Sequence, residues 1–185
     1  MLVEPETRHK YFFYTVYTCI AGITTSRIWL YLLSILEEEN MKILTPTDGS
    51  VAAHKALMTG AEYAKTFGGE LHILTVVPRI TPMASPIDGF PHEYMYQDLE
   101  AMEKSYQRIL QYSVQQVKEK YPDLKVTPHL KVGRPSQTIV DKSEELDVDM
   151  VVMGSRGLGG ITGWVLGSTS KKVVDQCKRQ VLVIK

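Results

Sequence analysis

From residue 41 onward the apolar positions fall into two alternating periods, short runs that suit strands and longer amphipathic stretches that suit helices. Lys42-Ile43-Leu44-Thr45 is a strand pattern ended by Pro46, and Thr47-Asp48-Gly49-Ser50 is turn chemistry, with Ser50 placed to cap a helix. Ala53, Ala56, Leu57, Gly60, Ala61, Ala64 and Phe67 recur at helical spacing, which predicts a helix whose small-residue face lies close to a sheet. Gly68-Gly69 stops it. Leu71, Ile73, Leu74, Val76 and Val77 make a second strand, and the four prolines from Pro78 to Pro91 make a loop of restricted shape.

A long amphipathic helix follows, marked by Leu99, Met102, Tyr106, Ile109, Leu110, Val114 and Val117. Leu124 to Val132 reads as a third strand, and its Pro128 assigns it to a sheet edge. Pro135 suits the first turn of a further helix whose inward face is Ile139, Val140, Ser143 and Leu146. Met150 to Met153 is a fourth strand, Gly154 to Ser170 a glycine-rich stretch leading into a last helix, and Val181 to Ile184 a fifth strand. Strands alternating with helices predict an α/β fold: a doubly wound five-stranded parallel sheet of order 3-2-1-4-5 with helices on both faces. Strands 1 and 4 are then neighbours at the switch point, where ligands bind beyond the carboxyl ends of the strands. That brings Pro46-Thr47-Asp48 beside Gly154, with Val76 flanking the same crevice.

The 185 residues suffice for one domain of ordinary size, and 44% apolar with 23% charged residues is a globular composition. Twenty-one basic and 21 acidic residues balance, so no broad electrostatic grip on nucleic acid or an acidic membrane is expected. Cys19 and Cys177 are too few for a disulfide framework, which suits a reducing compartment and a cytoplasmic protein. His54, His72, His92 and His129 are scattered, with no metal-ligand spacing, and read as surface or packing residues.

Residues 1–40 differ in character. Tyr11 to Ser26 is charge-free and Ile28 to Leu36 apolar, but neither reaches the roughly 18 consecutive apolar residues of a membrane span, and Arg27 between them would cost roughly 3 kcal/mol to insert. A signal peptide lacks a convincing cleavage site, and a disordered extension is a further reading. Glu37-Glu38-Glu39-Asn40 before Met41 resembles a purine-rich ribosome-binding sequence translated in frame, so the preferred expectation is a translated leader ahead of a domain at residues 41–185.

The candidate chemistry lies in the glycine-rich stretch. A strand, a glycine loop and a helix N-terminus together can bind phosphate through backbone N–H groups and the helix dipole. Gly-x4-Gly-Lys-Ser/Thr is absent, as is Gly-x-Gly-x-x-Gly followed by an acidic strand, so neither a P-loop nor a nicotinamide site is expected. The spacing present is Gly154-x2-Gly157-x9-Gly167-Ser168. Here the chain resembles the ATP-binding branch of the universal stress protein family, over residues 41–185. The same resemblance takes in Pro46-Thr47-Asp48-Gly49-Ser50, Val132-Gly133-Arg134-Pro135 and Val181-Leu182-Val183-Ile184.

The resemblance implies a Rossmann-like fold of the adenine nucleotide alpha hydrolase kind, holding ATP. Pro46, Thr47 and Asp48 would meet the nucleoside, Val76 the adenine and Met153 the ribose or base. Gly154, Arg156, Gly157, Gly167, Ser168 and Thr169 would surround the phosphates, with Mg2+ or Mn2+ held mainly by the phosphates rather than by protein ligands. A homodimer through the terminal strand Val181–Ile184 is implied as well. Each residue also has a plain structural reading: Asp48 as a helix cap, Arg156 as a solvated charge, Val76 and Met153 as sheet-end packing. No Ser-His-Asp or Cys-His constellation appears in sequence order, and the resemblance implies a nucleotide-dependent regulatory, stress-response module. The alternative is a slow ATPase or a nucleotidyl- or phosphoryl-transferring enzyme using the same site.

Overall fold

Ile43 and Leu44 are adjacent and both fully buried, yet they belong to different hydrophobic clusters, as a strand covered on both faces requires. The computed structural model describes residues 40–79, 92–157 and 166–185, with residues 92–99 described by backbone alone. The expectations for residues 1–39, for most of the proline loop and for the middle of the glycine stretch lie outside these ranges. The strands are β1 (Lys42–Pro46), β2 (Glu70–Pro78), β3 (Lys125–Gly133), β4 (Met150–Gly154) and β5 (Gln180–Ile184). Between them run α1 (Val51–Thr66), α2 (His92–Lys120), α3 (Pro135–Glu145) and α4 (Ser168–Gln176).

All four strand pairings are parallel and the order is β3-β2-β1-β4-β5, so the doubly wound sheet is as expected. Strand alternation sorts the core. Ile43, Leu71, Ile73 and Val152 pack with Leu57 of α1 and Leu110 and Val117 of α2 on one face. Leu44, Leu74, Val76, Val151 and Met153 pack with Ile139 and Val140 of α3 and Val173 of α4 on the other. Each fully buried aliphatic side chain contributes about 2 kcal/mol, so a one-residue slip of β1 would exchange both clusters' contacts at once. Pro128 sits on β3, an edge strand where its missing N–H removes no ladder bond on the outer side.

Helix α1 starts as expected, the Ser50 hydroxyl accepting from the Ala53 N–H at 3.2 Å. Its buried face is Ala53, Ala56, Leu57, Gly60, Ala61 and Ala64. Phe67 departs from that pattern: it is the C-cap, 56% exposed, and stacks on Tyr63 instead of reaching the sheet. Helix α3 carries Pro135 in its first turn and buries Ile139, Val140 and Ser143. Helix α2 begins at His92, ahead of the first residue of the apolar period. Among the described residues no helix is long and apolar enough to cross a membrane.

Candidate functional site

Strand β1 pairs with β4 through Ile43↔Met150 and Leu44↔Val151, so the segments after Pro46 and after Met153 emerge side by side. Thr47 is buried, and its N–H donates to the Leu74 carbonyl at 2.8 Å, which extends the β1–β2 ladder into the turn. The half-buried Asp48 then folds back, its Oδ1 accepting from the Ser50 N–H at 3.0 Å. That bond is an Asx turn onto the N-cap residue; the side-chain cap of α1 is Ser50's, not Asp48's. Its other oxygen, Oδ2, lies against Gly157, where a Cβ would overlap it. The carboxylate therefore bridges the β1 turn and the glycine stretch, which are more than a hundred residues apart in sequence.

Gly154 is buried, and a Cβ on it would stand 2.8 Å from the Ala52 carbonyl carbon and 2.9 Å from Ala53 N. The first turn of α1 thus lies on the end of β4, and the glycine is what permits that approach. The Gly154 carbonyl accepts from the buried Ser170 hydroxyl at 2.9 Å, tying the start of α4 to the end of β4. Ser155 N–H donates to the Ile184 carbonyl at 2.7 Å and Gly167 N–H to the Ser155 carbonyl at 2.8 Å. The two ends of the glycine stretch are thereby closed on each other, with α4 opening at Gly167, which provides no side-chain cap. Ser168 is exposed and Thr169 half-buried at that helix start, and the half-buried Arg156, between Ser155 and Gly157, brings its backbone close to Gly167.

Thus Pro46, Thr47, Asp48, Gly154, Gly157, Gly167 and the start of α4 converge at the switch point. Val76 and Met153 are 8% and 4% exposed and lie in the core cluster on the α3–α4 side, as their reading as sheet-end packing has it. Among the described residues no group of three or more His, Cys, Asp or Glu could hold a metal ion.

The sequence reading passed over a polar network on the α3 side of β2 and β3. His72 and His129, on neighbouring strands, approach to 3.1 Å between Nδ1 and Nε2, and His72 Nε2 lies 3.1 Å from Glu70 Oε1. The carboxylate can only accept, so His72 Nε2–H donates to Glu70, while the direction of the His72–His129 contact follows the tautomer. Lys125 pairs with Glu70 and, with His72 behind it, holds that carboxyl below its usual range. Burial, then the nearby Lys142 and His72, hold His129 at about 4. Lys142 is itself 5% exposed and reaches the Glu145 carboxylate at 2.6 Å. The signal available in sequence was parity: His72 shares its strand face with Leu74.

Fold and site together define a class, a doubly wound α/β protein with a glycine-stretch crevice at its topological switch point. Comparison with known proteins gives the family. The model of the universal stress protein family matches residues 39–185, and the chain belongs to that family. It is 30% identical over 159 residues to universal stress protein MJ0531 of Methanocaldococcus jannaschii, covering 84% of this chain and 90% of that one. Among solved structures, universal stress protein UspA from Lactobacillus plantarum superimposes with a TM-score of 0.67 at 25% identity, over 79% of this chain and 98% of the other. Two further neighbours share the fold. A universal stress protein in complex with cAMP has TM-score 0.57 at 23% identity, over 78% and 97% of the two chains. One from Archaeoglobus fulgidus in complex with dAMP has TM-score 0.54 at 20% identity, over 78% and 98%.

Proposed function

We propose that this protein is a nucleotide-binding regulatory module, residues 41–185, whose crevice holds an adenine nucleotide, ATP foremost, and which acts in the cytoplasm as a homodimer. The observation that carries the reading is the contact of the Asp48 carboxylate with Gly157 beside the uncapped start of α4. It sets a hydrogen-bond acceptor next to a run of backbone donors, the pairing a nucleoside with phosphates needs. Pro46, Thr47 and Asp48 meet the nucleoside, Val76 and Met153 the base and ribose. Gly154, Arg156, Gly157, Gly167, Ser168 and Thr169 surround the phosphates. Mg2+ or Mn2+ is carried by the phosphates. The cAMP and dAMP complexes of two fold neighbours support adenine as the base. Strand β5 lies at the sheet edge, and we assign it the dimer contact through Val181–Ile184.

Denaturing freshly purified protein and identifying any released small molecule tests the ligand directly, followed by calorimetric titration with ATP and AMP. Gly157→Val should drive a side chain into the Asp48 carboxylate and weaken ATP at least about tenfold. ATP binding that is absent in wild type, or unchanged in the variant, would overturn the site. Sedimentation analysis of the full chain tests the dimer, and a monomer at all concentrations would refute that part. Turnover that vanishes in Asp48→Ala while nucleotide still binds would make the protein an ATPase instead.

A further inference from the structure

On the α1–α2 side of the sheet, a cleft of ≈ 490 Å³ opens between the start of α1 and the middle of α2. Its size is that of an ordinary small-molecule site. One wall is the Thr47–Val51 segment with His54, and the other is Arg108, Ile109, Tyr112 and Ser113. None of these residues is acidic. Arg108 is exposed and forms no ion pair among the described residues, and α1 opens at the cleft with no acidic residue in its first turn. Arginine and a helix N-terminus thus make the cleft electropositive.

Ser113 is a second, independent sign. It is 5% exposed and lines the cleft, yet its hydroxyl makes no hydrogen bond among the described residues. Ser105 on the same helix, by contrast, bonds back to the Ala101 carbonyl, as helical serines commonly do. An unpartnered hydroxyl on a buried residue that lines a cavity is suited to a ligand's polar atom. The remaining surface is apolar and aromatic, with Val51 76% and Tyr112 59% exposed.

We infer that this cleft is a second small-molecule site, for an aromatic carboxylate or sulfonate whose acidic group meets Arg108 and whose ring lies against Tyr112, Ile109 and Val51. Arginine recognises such an oxyanion by paired N–H donors, and the tyrosine face stacks on the ligand ring. The cleft shares a wall with the proposed nucleotide site. Gly49 sits in it at φ +83° with its α-carbon against Ile109, whose nearest atom is 3.3 Å from where a Cβ would be. Asp48, the next residue back, faces Gly157. An occupant of the cleft therefore bears on the Asp48 turn from behind and couples to nucleotide affinity, a consequence that rests on the nucleotide reading.

Anilinonaphthalene sulfonate, a flat apolar body with one sulfonate, is the probe. Titrated into the full-length chain and followed by fluorescence, it should saturate at one per chain. Arg108→Glu should weaken it at least about tenfold, Tyr112→Ala should weaken it severalfold, and Lys65→Glu, in the last turn of α1, should leave it unchanged. All three positions are exposed, so the fold should survive each change. No saturable binding, or equal loss in Arg108→Glu and Lys65→Glu, would overturn the site. Repeating the titration with ATP separates the two readings. A probe affinity that shifts to a plateau supports coupled, distinct sites, and displacement without limit places the probe in the nucleotide crevice and refutes the cleft. If ATP does not bind at all, the nucleotide reading fails alone, and the Arg108 comparison still decides the cleft.

Discussion

The substitution Gly154→Ala separates two reasons for a glycine at the end of β4. If the residue is glycine only so that backbone can approach a phosphate, alanine should leave the unliganded protein as stable as wild type and spoil binding alone. The structure gives another reason: the new methyl would stand 2.8–2.9 Å from Ala52 C, Ala52 O and Ala53 N. All three are backbone atoms of the first turn of α1, so no rotamer change relieves the contact. That turn must lift, and with it the Ser50 cap and the Ala53 face packed on the sheet. Overpacking of this kind costs about 1–3 kcal/mol, offset by about 0.5 kcal/mol from the smaller entropy of an alanine in the unfolded chain. The net loss of about 1–2 kcal/mol should lower Tm by about 2–8 °C in a domain of this size. Urea melts and calorimetry without nucleotide provide the measurement. Gly157→Ala is the control, since its methyl meets only the tip of the Asp48 side chain at an exposed position. A Gly154→Ala protein with wild-type Tm would refute the packing argument and return the glycine to the ligand.

Three further outcomes follow from the geometry. Ser50→Ala removes the hydroxyl that accepts from Ala53 N–H and should cost about 1 kcal/mol in urea melts; no change would mean that this bond adds no net stability. Because the folded protein holds His129 at about 4 against 6.5 unfolded, the unfolded chain binds the extra proton between those values. This contribution to stability is complete above about pH 6.5 and is lost as pH falls toward 4, by about 1 kcal/mol near pH 5 once the partial exposure of the ring is allowed for. His129→Gln should flatten that slope, and parallel stability–pH curves would refute the assignment. Lys142→Met removes a buried cation that depresses His129, so the His129 pKa read by NMR should rise while stability is kept or gained; an unmoved titration would strike Lys142 from the causes of the shift.

The sheet order was legible because each strand's apolar run is short, each connection carries a helix, and right-handed crossovers leave few arrangements. Pro128 added an edge, and it fell on β3. The meeting of Asp48 with the glycine stretch followed from that order, since β1 and β4 had to be neighbours. What was hidden depends on quantities that periodicity does not encode. Leu74, not His72, stands level with His129 in the ladder, so the ring contact is a diagonal one that only the register reveals. Lys142 reads as a surface charge on an amphipathic helix, but α3 lies low enough on β2 and β3 to bury its stem. Phe67 continued the apolar period of α1 after the helix had ended, so spacing alone assigned it to the wrong face.

The polarity of the crevice can be read from where its backbone hydrogen bonds go. In the turn after β1 the amides are used internally: Thr47 N–H by the Leu74 carbonyl, Gly49 N–H by the Thr47 hydroxyl, Ser50 N–H by Asp48. What that wall presents to a ligand is therefore an acceptor, the Asp48 carboxylate. Across from it, Ser155 and Gly167 N–H are also taken, but α4 begins without a side-chain cap, so its first turn presents donors. An acceptor on one wall and donors on the other fix a ligand's direction. In the proposed complex, hydroxyls of a sugar would lie at Asp48 and phosphate oxygens at Ser168 and Thr169, with the base toward Val76 and Met153. The reverse orientation would set phosphate against a carboxylate, a repulsion that costs several kcal/mol where water is excluded. The same turn forms a wall of the α1–α2 cleft. One short segment thus caps a helix, orients the proposed nucleotide and faces a second cavity, so a change at Thr47–Ser50 should be felt in stability and in both ligand sites together.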